Sequence, residues 1–281
     1  MDLVDMHIHS TYSDGSMTPE EVVRRAIRLG LKAIALTDHD TVEGVGEALE
    51  ESKKTGLEVM PGVEISTEFG PEMHILGYFN KNGYEKIEDV LKNIRNNRNK
   101  RNARIIEKLN KLGFEIAASD VARHARNSIT GRVHIAAALC EKGYIKSIDE
   151  GFERYLGDGK PAYIKREKVT PLDGIRMITE AGGISVLAHP KHLGIGMFRF
   201  GKTIADLKQN GLRGIEVFYA DNSRFEDAQY SSVAKRYGLL ETGGSDFHGT
   251  ARPEVELGSG RGNLAVDYSY FKAVKEILEG I

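Results

Sequence analysis

The sequence predicts an α/β fold whose parallel strands close into a barrel. Short apolar runs that end at polar clusters alternate with longer runs whose apolar residues recur at helical spacing. This alternation covers residues 1–83, stops, and resumes from residue 169 to the C-terminus. Alternating strand and helix units imply a parallel sheet, and a chain of 281 residues is long enough to close one into a single barrel.

The first half of the predicted barrel begins with a strand at residues 3–8. Thr18 and Glu21 form a capping box with Pro19 at the first helical position, so a helix starts there and ends at Gly30. The remaining elements of this half are predicted strands at residues 32–36, 57–60 and 73–79 and a helix at residues 41–54.

The second half of the predicted barrel shows the same alternation. Its strands are predicted at residues 184–188, 213–218 and 239–243. Its helices are predicted at residues 171–181, 203–210, 224–237 and 268–278.

The segment between the two halves has almost no strand pattern. Its helices are predicted at residues 87–112, 119–124, 131–142 and 147–156. We therefore expect an inserted helical cap domain at residues 84–168, between barrel segments 1–83 and 169–281.

The composition is that of a globular protein without a dominant charge. Lys and Arg total 39 against 41 acidic residues, so the net charge of −2 argues against a whole-protein nucleic-acid or membrane binder. The single cysteine, Cys140, cannot form an intrachain disulfide, and no run approaches the roughly 18 apolar residues of a membrane span. We expect a cytoplasmic protein that contacts no membrane and shows no obligate protein partner.

Histidines and carboxylates collect at the predicted strand ends. His7 and His9 alternate along the first strand and therefore point to the same side. Other candidates lie in or just past the C-terminal ends of later strands, where barrel enzymes carry their active sites. We expect a shared metal site. The candidate ligands are His7, His9, Asp14, His39, Glu64, His74, His189, Asp246 and His248.

The types of candidate ligand favour certain metal ions and a certain class of reaction. Imidazoles and carboxylates without a thiolate suit Mn²⁺, Fe²⁺ or Zn²⁺ better than Ca²⁺ or Mg²⁺. Nine ligands suffice for three ions if Glu64 bridges two of them. Three divalent ions and three carboxylates leave a surplus of three positive charges, which a phosphate dianion and a metal-bound hydroxide would balance. A neutral amide would not, so the charge count favours phosphoester hydrolysis.

The motifs His7-Ile-His9, Thr37-Asp38-His39, Gly62-Val-Glu64, His74, His189-Pro190 and Asp246-Phe-His248 occur in this order along the chain. By these motifs the chain resembles the polymerase and histidinol phosphatase (PHP) superfamily. The resemblance implies a distorted (β/α)7 barrel and a trinuclear-metal phosphoesterase. It assigns one metal to His7, His9, Glu64 and Asp246, a second to Glu64, His74 and His189, and a third to Asp14, His39 and His248. Scaffold members of the family often lose ligands, so the complete set favours an active enzyme.

Residues 131–136 and 155–163 are similar to one PHP subgroup. Its members remove the 3′-phosphate of nucleoside 3′,5′-bisphosphates, and relatives trim RNA from the 5′ end. Val133 stands where the subgroup pattern has proline. The resemblance implies the same 3′-phosphate removal here, performed by a metal-bound hydroxide.

Several cationic residues are candidates for substrate contacts. Arg101, Arg104 and Lys108 share one helical stripe, which is either a solvated face or a phosphate-gripping surface. Arg132 and Arg101 are candidates for a second phosphate, whereas His134 either contacts substrate or packs within the helices. The remaining candidates are Arg252, for phosphate, and Asp38, which we expect to support His39 rather than bind metal.

Three other activities and one non-catalytic role compete with this hypothesis. Histidinol-phosphatase-like activity and 5′-3′ exoribonuclease activity use the same metal chemistry. An amidohydrolase-like C–N hydrolase usually has a bridging lysine where this chain has Glu64. A non-catalytic PHP scaffold would serve a polymerase for which 281 residues leave no room.

Overall fold

The computed structural model describes residues 2–67, 73–124, 130–165 and 169–280. These residues contain eight strands, several of them short. The strands are β1 (Leu3–Asp5), β2 (Ala33–Leu36), β3 (Glu58–Thr67), β4 (Met73–Tyr78), β5 (Ile184–Leu187), β6 (Gly214–Tyr219), β7 (Leu240–Gly244) and β8 (Val266–Asp267).

Ten α-helices lie in the same described ranges, none of them long and apolar enough to cross a bilayer. They are α1 (Pro19–Arg28), α2 (Val45–Thr55), α3 (Glu88–Lys111), α4 (Ala118–Ala122), α5 (Arg132–Glu141), α6 (Ile148–Gly151), α7 (Pro171–Glu180), α8 (Met197–Gln209), α9 (Arg224–Tyr237) and α10 (Tyr268–Glu279). Helix α1 starts as its sequence predicts, with the Thr18–Glu21 capping box and Pro19 in the first turn.

The chain divides into two compact units. Residues 1–90 and 168–281 form the first unit, which contains all eight strands, and residues 91–167 form the second, which is helical. The division falls inside α3, later than the boundary predicted at residue 84. The other predicted boundary, at residue 168, lies outside the described residues.

The eight strands form one nearly closed, barrel-shaped sheet in the order β7-β6-β5-β4-β3-β2-β1-β8. The gap between β7 and β1 is bridged by Met6 N–H donating to Gly243 O at 3.1 Å and Asp246 N–H donating to His7 O at 2.9 Å. The predicted α/β barrel is confirmed.

The expectation of an all-parallel sheet is wrong. Strand β4 runs antiparallel to both β3 and β5, and β8, which the sequence pattern did not reveal, runs antiparallel to β1. Only residues 68–72 separate β3 from β4, too few for the crossover that a parallel pair needs. Pairing with β4 also extends β3 to Thr67, so Glu64 lies inside a strand.

The barrel packs around two groups of apolar side chains. One contains Val4 and Met6 of the β1 segment together with Phe271 and Val274 of α10. The other joins β2 to α1 through Ile34, Val22 and similar residues. Lys275 of α10 donates to Glu58, the first residue of β3, at 2.7 Å. Helix α10 therefore covers the barrel end at which β3 begins.

The helical unit has an apolar core of its own. Ile105 and Leu109 of α3 pack with Ile135 and Leu139 of α5, and all four side chains are buried. Burial of this kind is the main source of stability for short helices.

Asp5 ties three chain segments together behind the barrel opening. Its carboxylate is fully buried and accepts hydrogen bonds from the backbone N–H groups of Ser245 and Gly258 at 2.9 and 2.8 Å. It also accepts from the Ser245 hydroxyl and from His7 N–H. Because Asp5 ends β1 and its donors lie just after β1, on the segment after β7 and on a later loop, Asp5 helps to close the barrel.

Replacing Asp5 by alanine should lower the free energy of unfolding by about 3 kcal/mol, because several buried donors lose the acceptor that they share. Urea denaturation of chelator-treated protein measures the effect. Glu50→Ala, which removes an exposed ion pair with Lys53, is the matched control and should change stability by less than about 0.5 kcal/mol. Equal stabilities of the two variants would contradict the closing role of Asp5.

Candidate metal centre

One end of the barrel collects the histidines and carboxylates that the sequence singled out. His7 and His9 follow β1, His39 follows β2, and His189 follows β5. The C-terminal ends of parallel strands meet at one rim, which brings these side chains together. The same rim receives Asp246 and His248, which follow β7.

His74 reaches this rim by a different route from the one predicted. It lies at the N-terminal end of β4, not at a C-terminal end. Because β4 is antiparallel to β3, its first residues pair with the last residues of β3, with His74 opposite Ser66. The reversed strand thus delivers His74 beside Glu64, and His74 Nδ1 is 2.9 Å from Glu64 Oε1.

Four ligand atoms form a compact group with the spacing of a metal shell. His7 Nε2 lies 3.1 Å from His9 Nε2, 3.2 Å from Glu64 Oε2 and 3.6 Å from Asp246 Oδ1. His9 Nε2 lies 3.3 and 3.2 Å from the same two oxygens. Tetrahedral zinc sites have metal–ligand distances of roughly 2.0–2.2 Å, which place neighbouring ligand atoms about 3.3–3.6 Å apart. The group therefore fits a divalent cation.

Two further groups adjoin the first and share residues with it. His9, Asp14, His39 and His248 form one, in which His248 Nε2 is 3.1 Å from Asp14 Oδ1. His39, Glu64 and His74 form the other. His189, which the resemblance places with Glu64 and His74, lies beside this last group, its Nε2 2.8 Å from Glu64 Oε1. The structure thus brings together all nine candidate ligands.

The buried polar atoms of the site also fit metal ions. His39 Nδ1 is buried 3.1 Å from Glu64 Oε2 and makes no hydrogen bond with any described residue. His189 Nδ1 is likewise buried and unbonded among the described residues. Such atoms cost free energy when left unpaired. Nitrogen and oxygen donors packed in this way are expected around Mn²⁺, Fe²⁺ or Zn²⁺.

The backbone is strained at the same place. Among the described residues other than glycine, only Asp40, His189 and Asp246 have positive φ angles, of 52°, 26° and 56°. His189 and Asp246 are candidate ligands, and Asp40 directly follows the candidate ligand His39 in the chain. Conformations of this kind cost about 1–3 kcal/mol each and persist where the surroundings fix them, often at functional sites.

Gly244, the last residue of β7, allows the close approach of β7 to His7. A Cβ atom on Gly244 would lie 2.4 Å from both the Cβ and the backbone nitrogen of His7. Only glycine fits there. The following residues, Ser245 and Asp246, thereby pass directly beside the imidazole.

Two residues that the sequence did not single out make hydrogen-bond contacts with the candidate ligands and orient them. Glu216 of β6 is fully buried, and its Oε1 lies 2.9 Å from His7 Nδ1. Its Oε2 accepts from His189 N–H at 2.6 Å. Tyr219 donates its hydroxyl to Asp246 Oδ2 at 2.9 Å. The detectable signal was a carboxylate within the otherwise apolar strand Gly214–Tyr219.

Arg252 contacts the carboxylates of this site. Its Nη1 donates to Asp246 Oδ2 at 2.7 Å, and its Nη2 pairs with Asp221. Asp246 thus presents Oδ1 to the histidines while Arg252 and Tyr219 hold Oδ2. In this arrangement Arg252 orients the carboxylate of Asp246, whereas the sequence predicted that Arg252 contacts phosphate.

Asp38 organises the loop that carries Asp14. It is buried and accepts from Ser10 N–H at 2.7 Å and from the hydroxyls of Ser10 and Ser13, each at 2.6 Å. Ser13 Oγ in turn lies 3.4 Å from His9 Nδ1. Asp38 therefore acts on the ligands through this loop and through His39, its neighbour in the chain.

The protonation of the histidines differs across the site. Burial opposes protonation of His9, but hydrogen bonds to Asp246 and Glu64 outweigh it and raise its pKa to about 10. Burial dominates at His39 and lowers its pKa to about 4. Burial disfavours the Glu64 carboxylate, yet His39, His7 and His74 hold its pKa well below the usual range. Without metal, the site therefore holds protons on some of its imidazoles.

Two of the candidate substrate residues, Arg132 and His134, have partners within the helical unit. Arg132 Nη1 donates to Leu156 O at 3.0 Å and to Asp158 Oδ1 at 3.2 Å, and its guanidinium lies over the ring of Phe152. His134 Nδ1 accepts from Gly131 N–H at 3.0 Å and so caps α5. Arg101 lies on α3, with a buried Nε.

Several known proteins are similar to this chain over most of its length. The PHP domain family matches residues 5–156. The chain belongs to the PHP family. It is 36% identical over 245 residues to a 5′-3′ exoribonuclease of Haemophilus influenzae, covering 87% of this chain and 89% of the relative. It is 32% identical over 264 residues to a 3′,5′-nucleoside bisphosphate phosphatase of Chromobacterium violaceum, covering 91% and 90%.

A solved structure supports the same conclusion. A metal-dependent phosphoesterase of Bifidobacterium adolescentis matches with a TM-score of 0.79 and 30% identity, over 97% of this chain and 95% of that one. The PHP chain described here is a metal-dependent phosphoesterase, and the clustered ligands at the barrel rim are its candidate metal centre.

The pKa of His9 makes metal binding depend on pH. At pH 7 the metal-free site holds a proton on His9, and coordination requires the neutral ring, so Mn²⁺ binding should release this proton and strengthen as pH rises toward 10. Calorimetry of chelator-treated protein in buffers of different ionisation enthalpy measures the release. His9→Gln should lower it by about one proton, whereas His124→Ala, outside the metal groups, should not. A binding enthalpy independent of the buffer would contradict the protonation assigned to His9.

Proposed function

We propose that this PHP enzyme removes the 3′-phosphate of nucleoside 3′,5′-bisphosphates with three divalent metal ions. The observation that carries the proposal is the cluster of nine candidate ligands in a chain with a bisphosphate phosphatase as a near full-length relative. A cluster of several cations suits the hydrolysis of a dianionic phosphate more than that of a neutral bond.

The resemblance to the PHP family assigns the residues that would hold the ions, and the three groups of ligand atoms support this assignment. His7, His9, Glu64 and Asp246 supply one set, Asp14, His39 and His248 a second, and His74 and His189 with Glu64 the third. Mn²⁺, Fe²⁺ and Zn²⁺ all suit these donors. When bound, such ions polarise the phosphoryl group and activate water.

The protein's own charges support a phosphate substrate. Glu216 adds a fourth carboxylate to Glu64, Asp246 and Asp14, one more than the sequence count included, and the Arg252 guanidinium adds a positive charge at Asp246. Three divalent ions would then leave a surplus of about three positive charges, as in the sequence count. A phosphate dianion supplies most of that charge, and a neutral amide does not. This count disfavours the amidohydrolase-like alternative.

A second candidate function is exoribonuclease activity from the 5′ end of RNA. It is supported by the relative with 36% identity, whose name gives this activity. Both reactions cleave a phosphoester of a nucleotide and need the same metal chemistry. They differ in whether the substrate continues beyond one nucleotide.

Recognition of a remote phosphate by the helical unit remains a prediction from the sequence. Arg132 is the best-defined candidate, because its Nη1 is held by Leu156 and Asp158 while its Nε and Nη2 have no hydrogen-bond partner among the described residues. A guanidinium fixed in this way has donors left for phosphate. Arg101 and His134 are the other candidates.

The bisphosphate should be hydrolysed at the 3′ position with a kcat/KM at least about tenfold above that of the 3′-monophosphate, since a charge-assisted contact contributes roughly 1.5–3 kcal/mol. Steady-state kinetics with Mn²⁺ measure this ratio, with histidinol phosphate and a short 5′-phosphorylated RNA alongside. Arg132→Ala should reduce the ratio and spare nitrophenyl phosphate.

His7→Ala, which removes a ligand, defines the background rate in the same assay. Equal rates on mono- and bisphosphate would refute recognition of a second phosphate. A preference for histidinol phosphate would replace the proposed substrate.

A further inference from the structure

Two phenylalanines are unusually exposed on the barrel unit. The side chains of Phe198 and Phe225 are 76% and 71% exposed, whereas no other large hydrophobic side chain in the described ranges exceeds 50%. Single exposed apolar residues are common on protein surfaces. Two large rings with this exposure and a shared location require a reason.

Both rings lie at the rim that carries the metal centre. Helix α8, with Phe198 in its first turn, follows β5, and α9, with Phe225 in its first turn, follows β6. Strands β5 and β6 are parallel neighbours, so both helices start at the site end of the barrel. The two helices pack together through Phe200 and Tyr230, whose ring centroids are 5.1 Å apart.

A chain of contacts links the first turn of α9 to the candidate ligands. Lys191, two residues after His189, donates to Glu226 at 2.9 Å and to the carbonyl of Asp221 at 2.7 Å. The His192 ring packs against His189 and Tyr219, at centroid distances of 4.6 and 5.4 Å. The segment after β5 is therefore fixed both to the site and to the start of α9, where Phe225 lies.

An arginine is the chain neighbour of each exposed phenylalanine. Arg199 and Arg224 are exposed, and neither makes an ion pair or hydrogen bond with any residue in the described part of the chain. The nearby acids are engaged, Glu226 with Lys191 and Asp227 with Asn222. A cation in a first helical turn opposes the helix dipole, so these arginines do not serve helix stability.

A cation also lies over the ring of Phe198. Lys202 Nζ lies 4.6 Å from its centroid. The rim therefore combines two accessible aromatic faces with three cations. Single-stranded nucleic acids are bound by this combination, because bases stack on aromatic rings and cations attract the phosphates.

We propose that Phe198 and Phe225 are a stacking platform for bases of a single-stranded RNA beyond the nucleotide being hydrolysed, with Arg199 and Arg224 contacting its phosphates. The inference rests on the second candidate function, exoribonuclease activity, and deepens it, since it names the residues that would contact the bases beyond the nucleotide being hydrolysed. A bisphosphate has no further base and does not use the platform.

The test compares binding of RNA with hydrolysis of the mononucleotide. The probe is a 5′-phosphorylated, 3′-fluorescein-labelled octaribonucleotide, bound to chelator-treated protein and followed by anisotropy. The double variant Phe198→Ala/Phe225→Ala should raise its Kd at least about tenfold. The Phe198→Trp/Phe225→Trp variant should restore binding to within about twofold, since tryptophan also stacks. With Mn²⁺, the double alanine variant should lose kcat/KM on the octamer far more than on the bisphosphate.

Two controls separate stacking from general damage. Ile277→Ala removes a half-exposed apolar side chain from α10 at the opposite barrel end and should change neither activity nor binding. Arg199→Gln/Arg224→Gln should weaken octamer binding and reduce its dependence on salt.

An unchanged octamer Kd in the double alanine variant would overturn the platform, as would failure of tryptophan to restore binding. Binding of the same variants to phosphatidylglycerol vesicles is measured alongside. If the double alanine variant loses vesicle binding but keeps octamer binding, the platform is overturned in favour of a membrane contact. If the wild type hydrolyses neither nucleotide, the proposed function fails, and the anisotropy measurement still decides the platform by itself.

Discussion

Glu64 is a buried carboxylate surrounded by five imidazoles, and the site depends on this arrangement. The nearest nitrogens of His7, His9, His39, His74 and His189 lie between 2.8 and 3.3 Å from its two oxygens. Protons on some of the rings balance its charge without metal, and divalent cations would replace those protons. Such a cluster is stable only when cations or protons occupy it, because buried like groups otherwise repel and lose hydration.

The barrel supplies the geometry that Glu64 requires. Its backbone is fixed by Glu64 N–H donating to Asp38 O at 3.1 Å and by Glu64 O accepting from Asp40 N–H at 2.9 Å. The reversed strand β4 brings His74 to the same place. The Glu216 carboxylate then contacts the imidazole of His7 and accepts from the backbone N–H of His189. Ligands from six strands are thereby brought within contact of one another.

The sequence predicted the barrel because its strands and helices have local signals. Capping residues such as Thr18 and alternating apolar runs mark the elements, and polar residues at strand ends mark the rim. The ligands were visible for the same reason, since histidines rarely recur at successive strand ends. The reversal of β4 was not predicted, because strand direction depends on pairing and connection length, which an apolar run does not encode.

The supporting residues were harder to predict than the ligands. Glu216 and Tyr219 reach the site from β6, and each contacts its ligand more than 25 residues away in the chain, so no local spacing connects them. The position of Arg252 shortly after His248 indicates a role at the site, but its pairing with Asp246 and Asp221 depends on a loop fold that the sequence does not specify. The strained backbone of His189 and Asp246 likewise follows from tertiary contacts.

Anomalous diffraction from crystals grown with Mn²⁺ tests the central claim most directly. Three manganese peaks are expected at the barrel rim, with Glu64 in contact with two of them and His74 and His189 at the same ion. A single peak, or a set of peaks that leaves Glu64 without a metal contact, would contradict it.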